Sequence, residues 1–71
     1  MTTKIDARGL SCPQPVMLTA EAVTKGTLPI EVLVDTVTAR ENVFRMAKSK
    51  GLQVRIDDMD GEYKLTIIQT R

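Results

Sequence analysis

There is no histidine in this chain, and Cys12 is the one cysteine among its 71 residues. Those two shortages remove whole classes of chemistry. A Cys–His pair cannot form, nor can a zinc site built from histidines or several cysteines. No side chain has an unperturbed pKa near neutrality for acid–base work. A single thiol also forbids an internal disulfide and suits a reducing compartment. Tryptophan is absent and Tyr and Phe occur once each, so the core must be aliphatic and no aromatic platform offers itself to stacked bases. Neither sign of charge dominates: ten Lys plus Arg stand against nine Asp plus Glu, a net +1 with no basic stripe, which argues against DNA as a partner. No run approaches the roughly 20 apolar residues of a bilayer span, and no charged-then-apolar leader opens the chain. The expectation is a cytoplasmic protein that does not enter a membrane.

What is present reads as one small domain over residues 1–71, with an ordinary soluble composition of 42% hydrophobic and 27% charged residues. Lys4 to Ala7 is a short candidate strand with Ile5 inward, followed by a loop of Arg8, Gly9, Leu10 and Ser11. A helix is predicted from Pro13 to about Lys25, ending at Gly26, with Val16, Ala20 and Val23 inward and Leu18 and Ala22 on the opposite side. Ile30 to Asp35 alternates at Ile30, Val32 and Val34 and reads as a second strand. Thr38 followed by Glu41 matches a capping box for a second helix, with Asp35 or Thr36 as other possible caps; Ala39, Val43, Met46 and Ala47 form its inner face and Gly51 closes it. Leu52, Val54 and Ile56, then Tyr63, Leu65 and Ile67, mark two more strands, and Asp60-Gly61 favours a tight reversal between them. The order predicts an α/β two-layer sandwich, βαβαββ, with a mixed four-stranded sheet and both helices on one face.

The chemistry concentrates in DARGLSCPQPVM, Asp6 to Met17. Pro13 suits the first position of a helix and Pro15 still lies in the first turn, where N–H groups have no intrahelical partner. Cys12 then falls at the N-cap, at the positive end of the helix dipole and facing the N–H groups of Gln14 and Val16, which favours its thiolate. Arg8 adds a cation if the loop folds back over the thiol; otherwise it is a solvated charge. Gly9 supplies a backbone conformation that a Cβ disfavours, and Asp6 bonds N–H groups within the loop. Asp35 is expected near the same edge, where loops leave the carboxyl ends of parallel strands and ligands tend to bind. Arg40, Arg45, Lys48 and Lys50 are a wet helix face that could also dock an acidic patch.

With Asp6, Gly9, Cys12, Pro13 and Pro15 in place, the sequence resembles the TusA-like (SirA-like) sulfur-carrier family, marked by a CPxP motif after a DxxG segment. The segment VDTVTARENVFRMAKSKG looks closest to the N-terminal domain of YedF-type selenium-metabolism proteins. The resemblance implies a βαβαββ sandwich in which Cys12 accepts a persulfide sulfur, or selenium, and passes it on. The donor would be a cysteine desulfurase or another sulfur carrier, and the recipient a downstream sulfur or selenium acceptor protein. Arg8, Gly9, Pro13, Gln14, Pro15, Asp35 and Arg40 would meet these partners; some members carry an acid where this chain has neutral Gln14. No cofactor and no metal are expected, and the chain is expected to be monomeric. The alternative is a noncatalytic interaction or regulatory module, RNA-binding among the options, in which CPQP serves only as a helix start.

Overall fold

Alternating apolar residues and two capped helical runs sort the chain into six elements. They are β1 (Thr3–Asp6), α1 (Gln14–Thr24), β2 (Ile30–Val34), α2 (Val37–Ser49), β3 (Gln53–Asp58) and β4 (Tyr63–Ile68). The computed structural model describes residues 3–11, 13–26 and 29–69. The strands form one mixed sheet in the order β1-β2-β4-β3, with β1 parallel to β2 and the other pairs antiparallel. This is the predicted α/β sandwich.

Register follows from which residues need burial. Ile30 lies opposite Ile67 and Val32 opposite Leu65, which stacks the apolar positions of the two central strands on the helix side. Ile30, Val32, Val34, Leu65 and Ile67 are fully buried there, with Val43 and Ala47 of α2. Each side chain as large as Val or Leu contributes about 1.5–3 kcal/mol by leaving water. On the other sheet face Lys4, Glu31, Lys64, Arg55 and Asp57 fall together by the same alternation, so that face is charged.

The hairpin behaves as its sequence suggests. Met59 and Glu62 exchange both backbone bonds, 2.7 and 3.3 Å, around Asp60 and Gly61. Both central residues have positive φ, 55° and 91°, the backbone twist that a two-residue hairpin loop prefers.

The inner face of α1 departs from expectation. Its buried residues are Pro15 and Thr19, while Val16, Ala22 and Val23 pack half-buried against the core. Val16 and Val23 thus pack inward as expected, whereas Ala22 faces inward too, and the deepest positions are Pro15 and Thr19. Thr19 can be buried because its Oγ1 donates to the Pro15 carbonyl at 2.8 Å, so no polar atom is stranded. Leu18 is exposed, as read.

The start of α2 differs as well. Thr36, and not Thr38, is the N-cap: its Oγ1 accepts the Ala39 N–H at 3.1 Å, and the helix begins at Val37. Thr36 has the extended backbone that an N-cap needs, whereas Thr38 already lies inside the first turn.

Candidate functional site: the loop that leads into Cys12

Cys12, and with it the predicted N-cap sulfur, lies outside the described residues. The residues on either side define the surroundings. Ala7 is buried and its N–H donates to Leu33 O at 2.8 Å, which carries the pairing with β2 one residue past β1. The chain then turns, Leu10 N–H donating to Ala7 O at 3.4 Å. Gly9 is the third residue of that turn with φ +77°, a left-handed conformation that favours glycine. Among the described residues a Cβ there would meet no atom within 4 Å, so the positive φ is what favours glycine.

Three carboxylates from three places converge on this turn. Asp6 Oδ1 accepts from the Arg8 backbone N–H (3.2 Å) and from Arg8 Nε (2.9 Å), and Asp6 Oδ2 accepts from Arg8 Nη2 (2.8 Å). Arg8 Nη1 donates to both oxygens of Glu62, at 3.3 Å each. Asp35 Oδ2 accepts the Gly9 N–H at 3.0 Å. Hydrogen bonds from the Arg8 side chain, then from its backbone N–H, hold the Asp6 carboxyl at a pKa of about 2, below its ordinary 3.8. The same bonds, with the charges of Asp6 and Glu62, raise the Arg8 guanidinium further above its usual range.

These contacts sharpen the sequence reading. Asp6 does bond a loop N–H. All three Arg8 guanidinium nitrogens donate to carboxylates, so the arginine is tied to Asp6 and Glu62 and is not simply solvated. Asp35 fastens the loop and does not cap α2.

On the far side of Cys12, Pro13 is the N-cap and not the first helical residue. Its carbonyl accepts the first helical bond, from Met17 N–H at 3.0 Å, and Pro15 sits in the first turn without a required N–H. The Gln14 N–H, expected to face the thiol, donates instead to Ser11 O at 2.9 Å. Pro13 and Gln14 are exposed, whereas Pro15 is buried and offers no surface to a partner.

Arg40 also departs from the wet face assigned to it. Its guanidinium lies 4.8 Å from the centre of the Tyr63 ring and Nη2 pairs with Glu41 Oε2 at 2.9 Å; the side chain is only 26% exposed. Arg45, Lys48 and Lys50 remain exposed.

Two features were missed. Glu62 carries no local signal, because its partner Arg8 is 54 residues away and only the strand order brings them together. Leu10 and Met17 join Gln14 and Leu18 around a hollow of about 210 Å³ beside the motif, with Met17 62% exposed. An apolar pair flanking the motif was the available clue. Among the described residues no cluster of acidic or sulfur side chains could hold a metal ion, and no helix is long and apolar enough to cross a membrane.

Fold and loop together define a class: a small two-layer α/β domain whose cysteine motif sits between a carboxylate-tied turn and a helix start. Comparison with known proteins supplies the family. The model of the family described as Sulfurtransferase TusA matches residues 3–69. A crystal structure of a SirA-like protein from Desulfitobacterium hafniense is similar to this chain with a TM-score of 0.86 and 33% identity, covering 96% of each chain. Curated proteins yield no match. The chain belongs to the TusA sulfurtransferase family.

Proposed function

We propose that Cys12 is the sulfur-carrying residue of this chain. The observation that supports this most is that the family match over residues 3–69 spans the sole cysteine, in a motif flanked by the tied turn and the α1 start. In the proposed step the Cys12 thiolate attacks the outer sulfur of a donor persulfide. A new S–S bond forms at Cys12, the donor's own S–S bond breaks, and the donor cysteine leaves as a thiolate. An acceptor nucleophile then attacks the outer sulfur and releases Cys12 as thiolate. The exchange needs no net oxidant, no general base from this chain and no cofactor.

The donor in this reading is a cysteine desulfurase or another carrier, and the acceptor a downstream sulfur or selenium protein. Exposed Pro13 and Gln14, with the Arg8–Gly9 turn, would meet them, while Asp35 and Arg40 would support that edge from beneath. The likeness of VDTVTARENVFRMAKSKG to YedF-type domains makes selenium a candidate cargo at the same cysteine. We place the chain in the cytoplasm as a monomeric single domain, on the strength of its lone thiol and balanced charge.

The test is intact-mass measurement after incubation with a desulfurase and free cysteine. The expected result is a gain of one sulfur atom that a reductant removes and that Cys12→Ser does not show. No gain in the wild type, or an equal gain in Cys12→Ser, would overturn the reading.

A further inference from the structure

The outermost strand on one side of the sheet is β1, with β2 as its one neighbour. Thr3 N–H donates to Pro29 O at 3.0 Å and Ala7 N–H to Leu33 O at 2.8 Å. A residue's N–H and C=O point to the same side of a strand and the side alternates, so residues 3, 5 and 7 face β2. The N–H and C=O groups of Lys4 and Asp6 therefore face the open edge. Among the described residues no other strand takes them up. An edge of this kind is a template for one more strand.

Side chains of the same strand add a hollow to that edge. Thr3 and Ile5 lie on the helix side of the sheet, where with Leu18, Glu21, Ala22 and Lys25 they line a space of about 300 Å³ between β1 and α1. Leu18 is 39% exposed there and lines two further hollows along α1. Glu21 and Lys25 supply one charge of each sign, so the hollow favours an apolar side chain without selecting a charge. Lys4 stands on the other face beside Glu31 and belongs to no ion pair among the described residues. A lysine on an edge strand ordinarily discourages pairing, whereas opposite an acidic residue it favours it.

We propose that β1 is a docking edge for an extended peptide of a partner protein, which joins the sheet as a fifth strand antiparallel to β1. The peptide carries an apolar residue opposite Ile5 and, directly after it, an acidic residue opposite Lys4. Lys4 and Asp6 then each exchange two backbone bonds with the residue opposite, and the position opposite Ile5 becomes the closer, non-bonded kind of pair. Its side chain enters the hollow against Ile5, Leu18 and Ala22, while the acid meets Lys4 on the open face. A second copy of this chain is the rival occupant, since Lys4-Ile5-Asp6 matches itself in the same register. Its Asp6 is already committed, because both carboxylate oxygens accept from Arg8. A partner with a free acid is the better match for Lys4. The proposal goes beyond the sulfur-carrier reading and involves neither Cys12 nor a loaded sulfur.

The experiment follows solvent exchange of backbone amides in the isotopically labelled full chain, with and without the end-blocked peptide Thr-Thr-Leu-Glu-Thr at millimolar concentration. The Lys4 and Asp6 N–H groups are expected to slow together, by about tenfold when nine-tenths of the chain is bound, while the Ile5 N–H, turned towards β2, keeps its rate. Serine in place of the peptide's leucine is expected to weaken binding by about tenfold. Lysine in place of its glutamate should weaken it by about twofold to fivefold, the range of an exposed ion pair. Leu18→Ser in the chain, checked for a cooperative melt, should weaken it by about threefold or more. No slowing at Lys4 and Asp6, or equal binding of the serine peptide, overturns the proposal. Tighter binding of Thr-Glu-Leu-Thr-Thr, with the acid before the leucine, would mean parallel addition and overturn the stated register. Slowing of the same two amides with chain concentration alone, accompanied by dimers in sedimentation, would assign the edge to a second copy and overturn the peptide. Exchange needs no sulfur donor, so this proposal and the carrier reading stand or fall separately.

Discussion

The backbone N–H of Gly9 donates to Asp35 Oδ2 at 3.0 Å, which ties the turn before Cys12 to the residue that follows β2. A bond from an amide to a charged acceptor is stronger than one between neutral groups, although exposure to water weakens it. Asp35→Ala should therefore cost about 1 kcal/mol, a fall in Tm of about 4–8 °C for a domain this small. Asp35→Asn keeps an acceptor and should lose less than half as much. Thermal melts of the two variants check the order; equal losses would mean that the carboxylate charge, and not an acceptor as such, is what matters.

Gly9→Ala tests the same turn from the other side. No atom of the described residues obstructs the added methyl, so the expected cost is that of holding alanine at φ +77°, about 1 kcal/mol. The measurement is the urea midpoint at unchanged m-value; no shift would show that the turn relaxes to another conformation.

The Asp6–Arg8 pair makes a prediction about acid. The folded carboxyl has its pKa depressed to about 2 from 3.8, so the stability it brings is fully present above about pH 4 and is lost as pH falls towards 2. Asp6→Asn lacks that carboxyl. Its stability deficit relative to wild type should be constant near neutrality and shrink towards zero over the acid limb, as chemical denaturation at each pH would show.

Thr36→Ala should cost about 1 kcal/mol by leaving the Ala39 N–H uncapped. Thr38→Ala, within the first turn, should stay within about 0.5 kcal/mol of wild type, since alanine is the better helix former. The reverse ranking in thermal melts would restore Thr38 as the cap.

Leu65→Ala removes a fully buried side chain from the centre of the sheet. The expected loss is about 3 kcal/mol. That is a large part of the roughly 4–10 kcal/mol available to a domain of this length. A loss under about 1 kcal/mol in denaturant titration would mean that the core collapses around the gap.

Much of this was legible along the chain because the signals are local. Period-two alternation marks β2 and β4, Asp60-Gly61 marks the hairpin, and two prolines after Cys12 mark a helix start to within one residue. Where reading failed, the cause was a competition that local rules leave undecided. Thr36 and Thr38 are both acceptable caps, and the choice went to the residue held extended at the end of β2. Pro15 and Thr19 do not look apolar, yet they are buried on α1, since a threonine can bond the carbonyl four residues back and hide its hydroxyl.

By itself the sequence determined which chemistry is excluded: with one cysteine and no histidine, neither a Cys–His pair nor an internal disulfide can form. It also determined the six elements, because periodicity and turn residues act over a few positions. Only the tertiary structure decided that Asp35 closes on Gly9 and Glu62 on Arg8, in the turn that precedes Cys12 in the chain. Those contacts span 26 and 54 residues, and they exist because β1, β2 and β4 lie side by side in that order in the sheet. No local propensity encodes such a meeting; it is set by the strand order that buries the aliphatic faces of the two central strands against the helices.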